Sequence, residues 1–245
     1  MKLLLTLAAL LGFGLATTSA RAEDPWAMPE GRAAHGFASL NRPTGIAEAG
    51  AGWLTLPGAS VCAESGNGSS CRHGDTSFVL DAWQLFRSNL RFAFGAGLLL
   101  GLIPTTDAPE SEPPGITRDH TRKYLTLEGT IRYYPYVGEN FEFWTGLMGG
   151  LVVVDDHFEV KGPTDDLAFV GQRGATIRTE GGTIGLAVGT VHSLAPNWSL
   201  GLNLRYGNWF LPTTAAHDPL TDRASLRGRN TMFALGLSVA YRVNL

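Results

Sequence analysis

The chain is poor in charge, in lysine and in long apolar runs. Asp, Glu, Lys and Arg make up 17% of its 245 residues, lysine occurs only three times, and the net charge is −3. This balance gives no electrostatic reason to expect a nucleic-acid partner. Beyond the N-terminal region, no stretch approaches the roughly 20 uncharged apolar residues that a membrane-spanning helix needs. These deficits argue against nucleic-acid binding and against a helical membrane protein.

The N-terminal residues predict a segment that is removed from the mature protein. Lys2 precedes an apolar run from Leu3 to about Ala16, and Ala20-Arg21-Ala22 forms an A-x-A site before Glu23. This is the pattern of a secretory signal peptide, and its apolar run is too short to cross a bilayer. We therefore divide the chain into a signal peptide, an N-terminal periplasmic lead-in and one domain, which are residues 1–22, 23–43 and 44–245.

Cysteine is also scarce, and the two that occur, Cys62 and Cys71, lie close together in a polar stretch. In an oxidising compartment, such a pair predicts a loop-closing disulfide, worth about 2–3 kcal/mol by chain entropy. A metal or redox site is the weaker alternative, because there is no C-x-x-C motif and His73 supplies only one further ligand. We expect no metal and no cofactor.

Alternating apolar and small or polar residues recur along the chain, and we predict that these segments are β-strands. They lie at about 45–57, 76–87, 90–103, 123–136, 140–155, 179–194, 198–211 and 230–245. Tight turns at 88–89, 137–139 and 195–197 alternate with long polar connections near 58–75, 104–122, 156–178 and 212–229. All short turns therefore lie at one edge of the sheet. Because an eight-stranded meander can close on itself, we predict an all-β fold, an eight-stranded antiparallel up-and-down barrel.

The last strand has two chemically different faces. Its odd positions are large and apolar, and its even positions are small or polar: Phe233, Leu235, Leu237, Val239, Tyr241, Val243 and Leu245 against Ala234, Gly236, Ser238, Ala240, Arg242 and Asn244. Glycine and alanine suit a narrow interior, whereas a soluble surface carries about a quarter to a third charged residues. The apolar face therefore meets hydrocarbon, and the barrel is predicted to be transmembrane. A soluble, lipocalin-like ligand-binding barrel is the alternative.

Aromatic residues support the membrane interpretation, because they gather at two levels of the predicted barrel. Near the short turns these are Phe86, Phe92, Tyr133, Tyr136, Phe141, Phe143, Trp198 and Tyr241; near the long connections they are Trp53, Phe78, Tyr124, Trp209 and Phe210. Two aromatic belts around an aliphatic middle are typical of outer-membrane barrels.

With these features the chain resembles the small eight-stranded outer-membrane β-barrel proteins of Gram-negative bacteria. The resemblance covers nearly the whole mature chain and rests on architecture. It implies a place in the outer membrane with periplasmic termini, four extracellular loops, and outer-membrane lipid and lipopolysaccharide as surroundings. Members often end in an aromatic-x-Phe signal that the assembly machinery reads. Tyr241, Val243 and Leu245 match its alternating form, with leucine in place of the final phenylalanine. We expect a monomer.

Four charged residues are predicted to face the lumen: Glu128, Arg132, Arg205 and Arg242. Glu48, Asp81 and Glu142 are further candidates for this face. Opposite charges inside a narrow barrel should pair, because an unpaired buried charge is costly. A structural plug of salt bridges is the simpler interpretation, and an ion path or gate is the alternative. Eight strands leave too little room for a porin-like channel.

The edge with the long connections is rich in basic residues. Those that could contact lipopolysaccharide are Arg122, Lys123, Arg178, Arg227 and Arg229. Outer-leaflet lipopolysaccharide carries phosphates, which arginine binds with bidentate geometry. Acidic residues are interspersed at this edge, so a neutral solvated rim is the alternative.

One histidine at the same edge, His157, lies among Asp155, Asp156 and Glu159. A histidine flanked by carboxylates could act as a general base, although a solvated loop cluster is the simpler interpretation. No catalytic motif supports an enzyme. We therefore expect a structural or surface-contact role, with a narrow solute or ion channel and an outer-leaflet lipid-modifying enzyme as alternatives.

Overall fold

The computed structural model describes residues 43–63, 70–101, 105–107, 118–160, 174–214 and 226–245. The predicted signal peptide and nearly all of the lead-in lie outside these residues. Within the described part, no helix has the length and apolar character needed to cross a bilayer.

The described residues form nine antiparallel β-strands. They are β1 Thr44–Ala63, β2 Ser70–Arg87, β3 Phe92–Gly101, β4 Thr105–Asp107, β5 Arg118–Val137, β6 Phe141–Val160, β7 Gly174–Ser193, β8 Trp198–Phe210 and β9 Arg229–Asn244. Both β3 and the three-residue β4 pair with β5, so together they occupy one position of the sheet. Each other strand pairs with its neighbours in sequence, which confirms the predicted eight-stranded up-and-down order.

The sheet closes into a ring, because β3 pairs with β5 and β1 pairs with β9. Cross-strand partners can be followed once around the ring, starting from Thr44 of β1. The path returns to β1 at Leu54, so the strands are staggered by 10 residues (54 − 44) around the barrel. With eight strands, this stagger tilts the strands by about 40° and leaves an interior just wide enough for side chains.

Several strands are longer than the sequence predicts. β1 reaches Ala63 and β2 begins at Ser70, so the predicted connection 58–75 shrinks to 64–69. β5, β6 and β7 likewise extend about five residues further at the long-connection edge than predicted. The prediction relied on apolar alternation, which stops where the apolar outer face of the barrel ends. The ladder hydrogen bonds that continue beyond that level do not require apolar residues.

The two faces of each strand follow the predicted parity. Leu237 is 58% exposed, whereas its neighbour Ser238 is 6% exposed and faces the lumen. Large apolar side chains are exposed on the outer face of β1, β2, β3, β5, β6, β7, β8 and β9. This outer surface is too extensive for an apolar patch on a water-soluble monomer.

The predicted aromatic belt near the long connections needs a correction. Tyr124 and Trp209 point into the lumen, with 2% and 0% exposure, so their assignment to that belt is wrong. They share the inward parity of their strands, and the prediction grouped aromatic residues by level without regard to face. Trp53, Phe78 and Phe210 remain on the outer face, and Tyr206 and Phe233 join them there.

Candidate functional site

The lumen is closed at the short-turn end by a buried ion cluster around Glu142. Arg87 Nη1 donates to Glu142 Oε1 at 2.7 Å, and Arg242 Nη2 donates to Glu142 Oε2 at 2.9 Å. Arg87 also donates through Nη2 to the carbonyl oxygen of Leu90 at 2.6 Å, and its guanidinium lies 4.0 Å from the ring centre of Tyr134. These contacts hold the tight turn between β2 and β3 against the inside of the barrel.

A second charged layer crosses the middle of the lumen. Arg132 Nη1 donates to Glu48 Oε2 at 2.7 Å, and the guanidinium lies 4.1 Å from the ring centre of Trp144. Arg205 donates to Glu128, and its Nη1 lies 3.9 Å from Asp81 Oδ2. The structure therefore brings each of the four predicted lumen charges into a buried ion pair.

Charges in these two layers balance. Four arginines, Arg87, Arg132, Arg205 and Arg242, face four carboxylates, Glu48, Asp81, Glu128 and Glu142. Pairing offsets part of the cost of removing these charges from water. Arg87 was absent from the predicted set, although its odd position in β2 places it on the face of Trp83 and Leu85. Strand parity could therefore have identified it.

Above these layers lies a group of buried apolar residues that we call the apolar plug. It consists of Leu54, Leu56, Ala59, Val79, Leu99, Tyr124, Val152, Val154, Trp209, Leu211, Leu226, Met232 and Ala234. Below it, a cavity of only ≈10 Å³ is lined by residues that include Glu48, Arg132 and Ser238. A cavity of this size holds at most about one water molecule.

A third buried charged cluster lies above the apolar plug, at the long-connection end. Arg122 Nη1 donates to Asp75 Oδ2 at 3.0 Å, and its Nε lies 3.5 Å from Asp156 Oδ1. Tyr124 donates its hydroxyl to Asp75. Arg122 is 1% exposed, so its predicted place on the lipid-contacting rim is wrong. Even positions of β5 face the lumen, and Arg122 shares that parity with Glu128 and is far from lipid.

The general base considered at His157 is not held by a carboxylate among the described residues. His157 is exposed and hydrogen-bonded to Thr176 Oγ1 at 2.9 Å, while Asp156 faces the lumen. Asp156 Oδ1 instead contacts Nε2 of the buried His120 at 2.6 Å, and the ring of His120 stacks on Phe158 at 4.5 Å. Among the described residues, no group of three or more His, Cys, Asp or Glu side chains is arranged to hold a metal ion.

The remaining predicted rim residues lie on the outer face. Lys123, Asp155 and Arg178 form a cross-strand row on β5, β6 and β7. Arg178 donates to both carboxylate oxygens of Asp155, at 2.9 and 3.3 Å, and these hydrogen bonds raise the pKa of the Arg178 guanidinium. Arg227 and Arg229 are exposed on the β8–β9 side of the rim, where Arg229 Nε donates to Asn208 Oδ1 at 2.9 Å.

Cys62 and Cys71 lie in strands and not in the predicted loop. The backbone register of β1 and β2 places them directly opposite one another. Their side chains lie outside the part of the chain that the structure describes.

Comparison with known proteins gives similarity in structure only. No protein-family model and no curated protein sequence matches the chain. A major outer membrane protein from Thermus thermophilus is similar in structure, with 16% identity over 82% of this chain and 99% of that chain and a TM-score of 0.50. Neisserial surface protein A shares 11% identity over 81% and 96% of the two chains, with a TM-score of 0.45. Outer membrane protease OmpT from Escherichia coli shares 9% identity over 84% and 98%, with a TM-score of 0.38.

The chain therefore has the fold of the small eight-stranded outer-membrane β-barrels, as its sequence resemblance implied. A fold of this kind hosts several functions and specifies none of them.

Proposed function

We propose that the protein is embedded in the bacterial outer membrane, where it stabilises the envelope and presents four extracellular loops for surface contact. The observation that carries this proposal is the combination of an apolar outer face on eight of the nine strands with a lumen that the described ion pairs and apolar side chains fill. An apolar belt of this kind needs hydrocarbon around it, and a closed barrel satisfies every backbone hydrogen bond there. The short turns and the termini then face the periplasm.

The filled lumen disfavours the alternative of a narrow channel. Two layers of buried ion pairs and the apolar plug lie in series along the barrel axis. An ion would have to displace paired charges and then cross the plug, whose central Trp209 is fully buried. The interior thus supports a structural role, in which side chains brace the barrel wall.

The enzyme alternative has little support from the geometry. The contact between His120 and Asp156 is the nearest match to a general base held by a carboxylate. Both side chains are buried, with 2% and 0% exposure, so an outer-leaflet lipid does not reach them in this conformation. We therefore propose a non-catalytic protein. We also propose that it is a monomer, as the family resemblance implies. Its C-terminal strand β9 is the element that the outer-membrane assembly machinery would recognise.

A single preparation tests both membrane insertion and conductance. The protein refolded into lipid vesicles should run faster on a gel unheated than boiled, because a closed barrel without free edges resists detergent until heated. The same vesicles, fused with a planar bilayer, should add no stepwise conductance, whereas a porin measured in parallel should. One gel position under both conditions, or recovery from cells in the soluble periplasmic fraction, would contradict the membrane proposal. Discrete conductance steps would support the channel instead.

We also propose that Cys62 and Cys71 form a disulfide, and their directly opposed backbone positions support it. The protein isolated from the envelope without reductant should then show no thiol that reacts with an alkylating reagent. Replacing both cysteines with serine should leave the heat-dependent gel shift unchanged, because the pair lies beyond the apolar outer face, and should increase cleavage by protease near 64–69. Quantitative alkylation of both cysteines in the unreduced protein would refute the pairing.

A further inference from the structure

The extracellular rim is electrostatically uneven, because the described residues of its β8–β9 flank include no acidic side chain. Residues 198–214 and 226–245 contain four arginines and neither Asp nor Glu. Two of these arginines, Arg205 and Arg242, face the lumen and pair with Glu128 and Glu142. The other two, Arg227 and Arg229, are exposed at the long-connection edge, and neither forms an ion pair with a described residue. This flank therefore carries an uncompensated positive charge within the described part of the rim.

On the β5–β7 side of the rim, by contrast, acidic residues lie beside the basic ones. There Asp155 lies between Lys123 and Arg178 in the register of β5, β6 and β7, and Arg178 is bonded to it through two hydrogen bonds. The exposed Glu180 also acts on Arg178. Glu180 belongs to β7, which is separated from β9 by β8, and it forms no ion pair with Arg227 in the described part of the chain. The charges on this flank cancel locally.

Aromatic residues place the two exposed arginines at the level of lipid headgroups. Arg229 lies directly opposite Phe210, which is 48% exposed on the outer face. Further down the same two strands, the rings of Tyr206 and Phe233 are 5.0 Å apart and exposed. Aromatic side chains gather at the boundary between hydrocarbon and headgroups. An arginine level with the uppermost ring of this belt lies where lipid phosphates are found.

Both arginines are held by neighbouring groups. Asn208 is largely buried, and its Oδ1 accepts hydrogen bonds from Arg229 Nε at 2.9 Å and from Thr231 Oγ1 at 3.4 Å. The Nη groups of Arg229 make no hydrogen bond within the described residues. Arg227 follows Leu226, which is buried in the apolar plug, and its carbonyl oxygen accepts a bond from Asn230 Nδ2 at 3.1 Å. The backbone under the pair is therefore fixed, which lowers the entropic cost of binding a ligand.

We propose that Arg227 and Arg229 form a binding site for a phosphate of the outer-leaflet glycolipid, the phosphorylated lipid A part of lipopolysaccharide. The guanidinium groups offer the planar donors that match phosphate oxygens. Below them lies an apolar surface for the acyl chains, formed by the exposed rings of Phe210, Tyr206 and Phe233. A soluble phosphate has no acyl chains and would not use this surface. This site rests on the proposed outer-membrane location, and it reduces the five-residue rim predicted from the sequence to two residues.

The test counts bound lipid on the full-length protein by native mass spectrometry. Protein refolded in detergent is mixed with lipid A that carries its phosphates or with dephosphorylated lipid A. The unaltered protein should retain the phosphorylated form preferentially. The R227Q/R229Q variant should lose that preference by about tenfold, because charge-assisted hydrogen bonds to phosphate are replaced by neutral ones. The matched K123Q/R178Q variant also removes two rim cations and should stay within about twofold of the unaltered protein, since the carboxylates of Asp155 and Glu180 lie beside these cations.

Each other outcome decides against the site. Equal retention of the two lipids by the unaltered protein, or unchanged retention by R227Q/R229Q, overturns it. An equal loss in K123Q/R178Q shows that overall rim charge binds lipid, and displacement by millimolar inorganic phosphate shows that the acyl chains are not recognised. The heat-dependent gel shift verifies that each variant is folded. Should R227Q/R229Q not fold, the single variants R227Q and R229Q must each show a partial loss. Because binding is measured in detergent, failure of the protein to fractionate with the outer membrane is a separate result and contradicts only the proposed function.

Discussion

The Glu142→Gln variant is expected to lose about 3–5 kcal/mol of unfolding free energy in lipid vesicles. Glu142 is fully buried and is the shared partner of Arg87 and Arg242. A neutral amide at this position removes the carboxylate that both guanidinium groups share inside the barrel. Because an isolated buried charge costs more than the pair contributes, the loss should exceed that of an ordinary hydrogen bond. Urea unfolding followed by tryptophan fluorescence measures the difference.

A matched control shows whether the loss of stability depends on the burial of the ion pair. Asp155→Asn removes the carboxylate that pairs with Arg178, whose side chain is 56% exposed, and should cost no more than about 1 kcal/mol. Adding Arg242→Met to Glu142→Gln should recover part of the loss, since one of the two buried charges that lost the shared carboxylate is then removed. Similar small losses for Glu142→Gln and Asp155→Asn would mean that water reaches the lumen and screens its charges.

Leu237→Arg should also cost about 2–4 kcal/mol of folding free energy in vesicles. Leu237 is 58% exposed in the middle of β9, between the two ends of the apolar outer face. An arginine there places a charged group near the centre of the hydrocarbon layer, where no water is available to solvate it. The quantity to measure is the unfolding free energy after refolding into vesicles.

Leu245→Arg is the control for depth. Leu245 has the same outward parity and is 69% exposed, but it lies at the short-turn end of the barrel. The penalty for arginine falls to about 0–1 kcal/mol near the membrane interface, so Leu245→Arg should be nearly neutral. Leu237→Phe keeps an apolar side chain and should be tolerated. Equal, negligible effects of arginine at both positions would indicate that the outer face is wet, and the soluble-barrel alternative would replace the membrane proposal.

Strand parity is the part of this structure that the sequence predicts well. A period of two assigns neighbours such as Leu237 and Ser238 to opposite faces without knowledge of any other strand. The errors arose where parity was not applied. Arg122 and Tyr124 lie in the same even series as Glu128 and should have been placed in the lumen, but Arg122 was assigned to a loop and Tyr124 to a belt. Both assignments used the level of the residue along the barrel axis and did not consider whether its side chain faces the lumen or the outside.

Pairing between charges could not be predicted from the sequence. Parity shows that Glu142 and Arg242 both face inward, but they are 100 residues apart, and their contact depends on the stagger of the whole ring. A change in that stagger would shift every inward side chain along the axis relative to those across the lumen. The long projections of β5, β6 and β7 were missed for a related reason, because strands beyond the bilayer are held by ladder hydrogen bonds and lack apolar alternation.

The buried ion pairs have a mechanical consequence for the barrel wall. Glu142 of β6 holds Arg87 of β2 and Arg242 of β9, and none of these strands are neighbours in the sheet. The pair of Arg132 on β5 with Glu48 on β1 likewise spans the interior. Ladder hydrogen bonds resist separation of adjacent strands but do little to prevent the ring from flattening into an ellipse. Ties across the interior oppose that flattening, so the cross-section should stay round when lateral pressure in the surrounding bilayer changes.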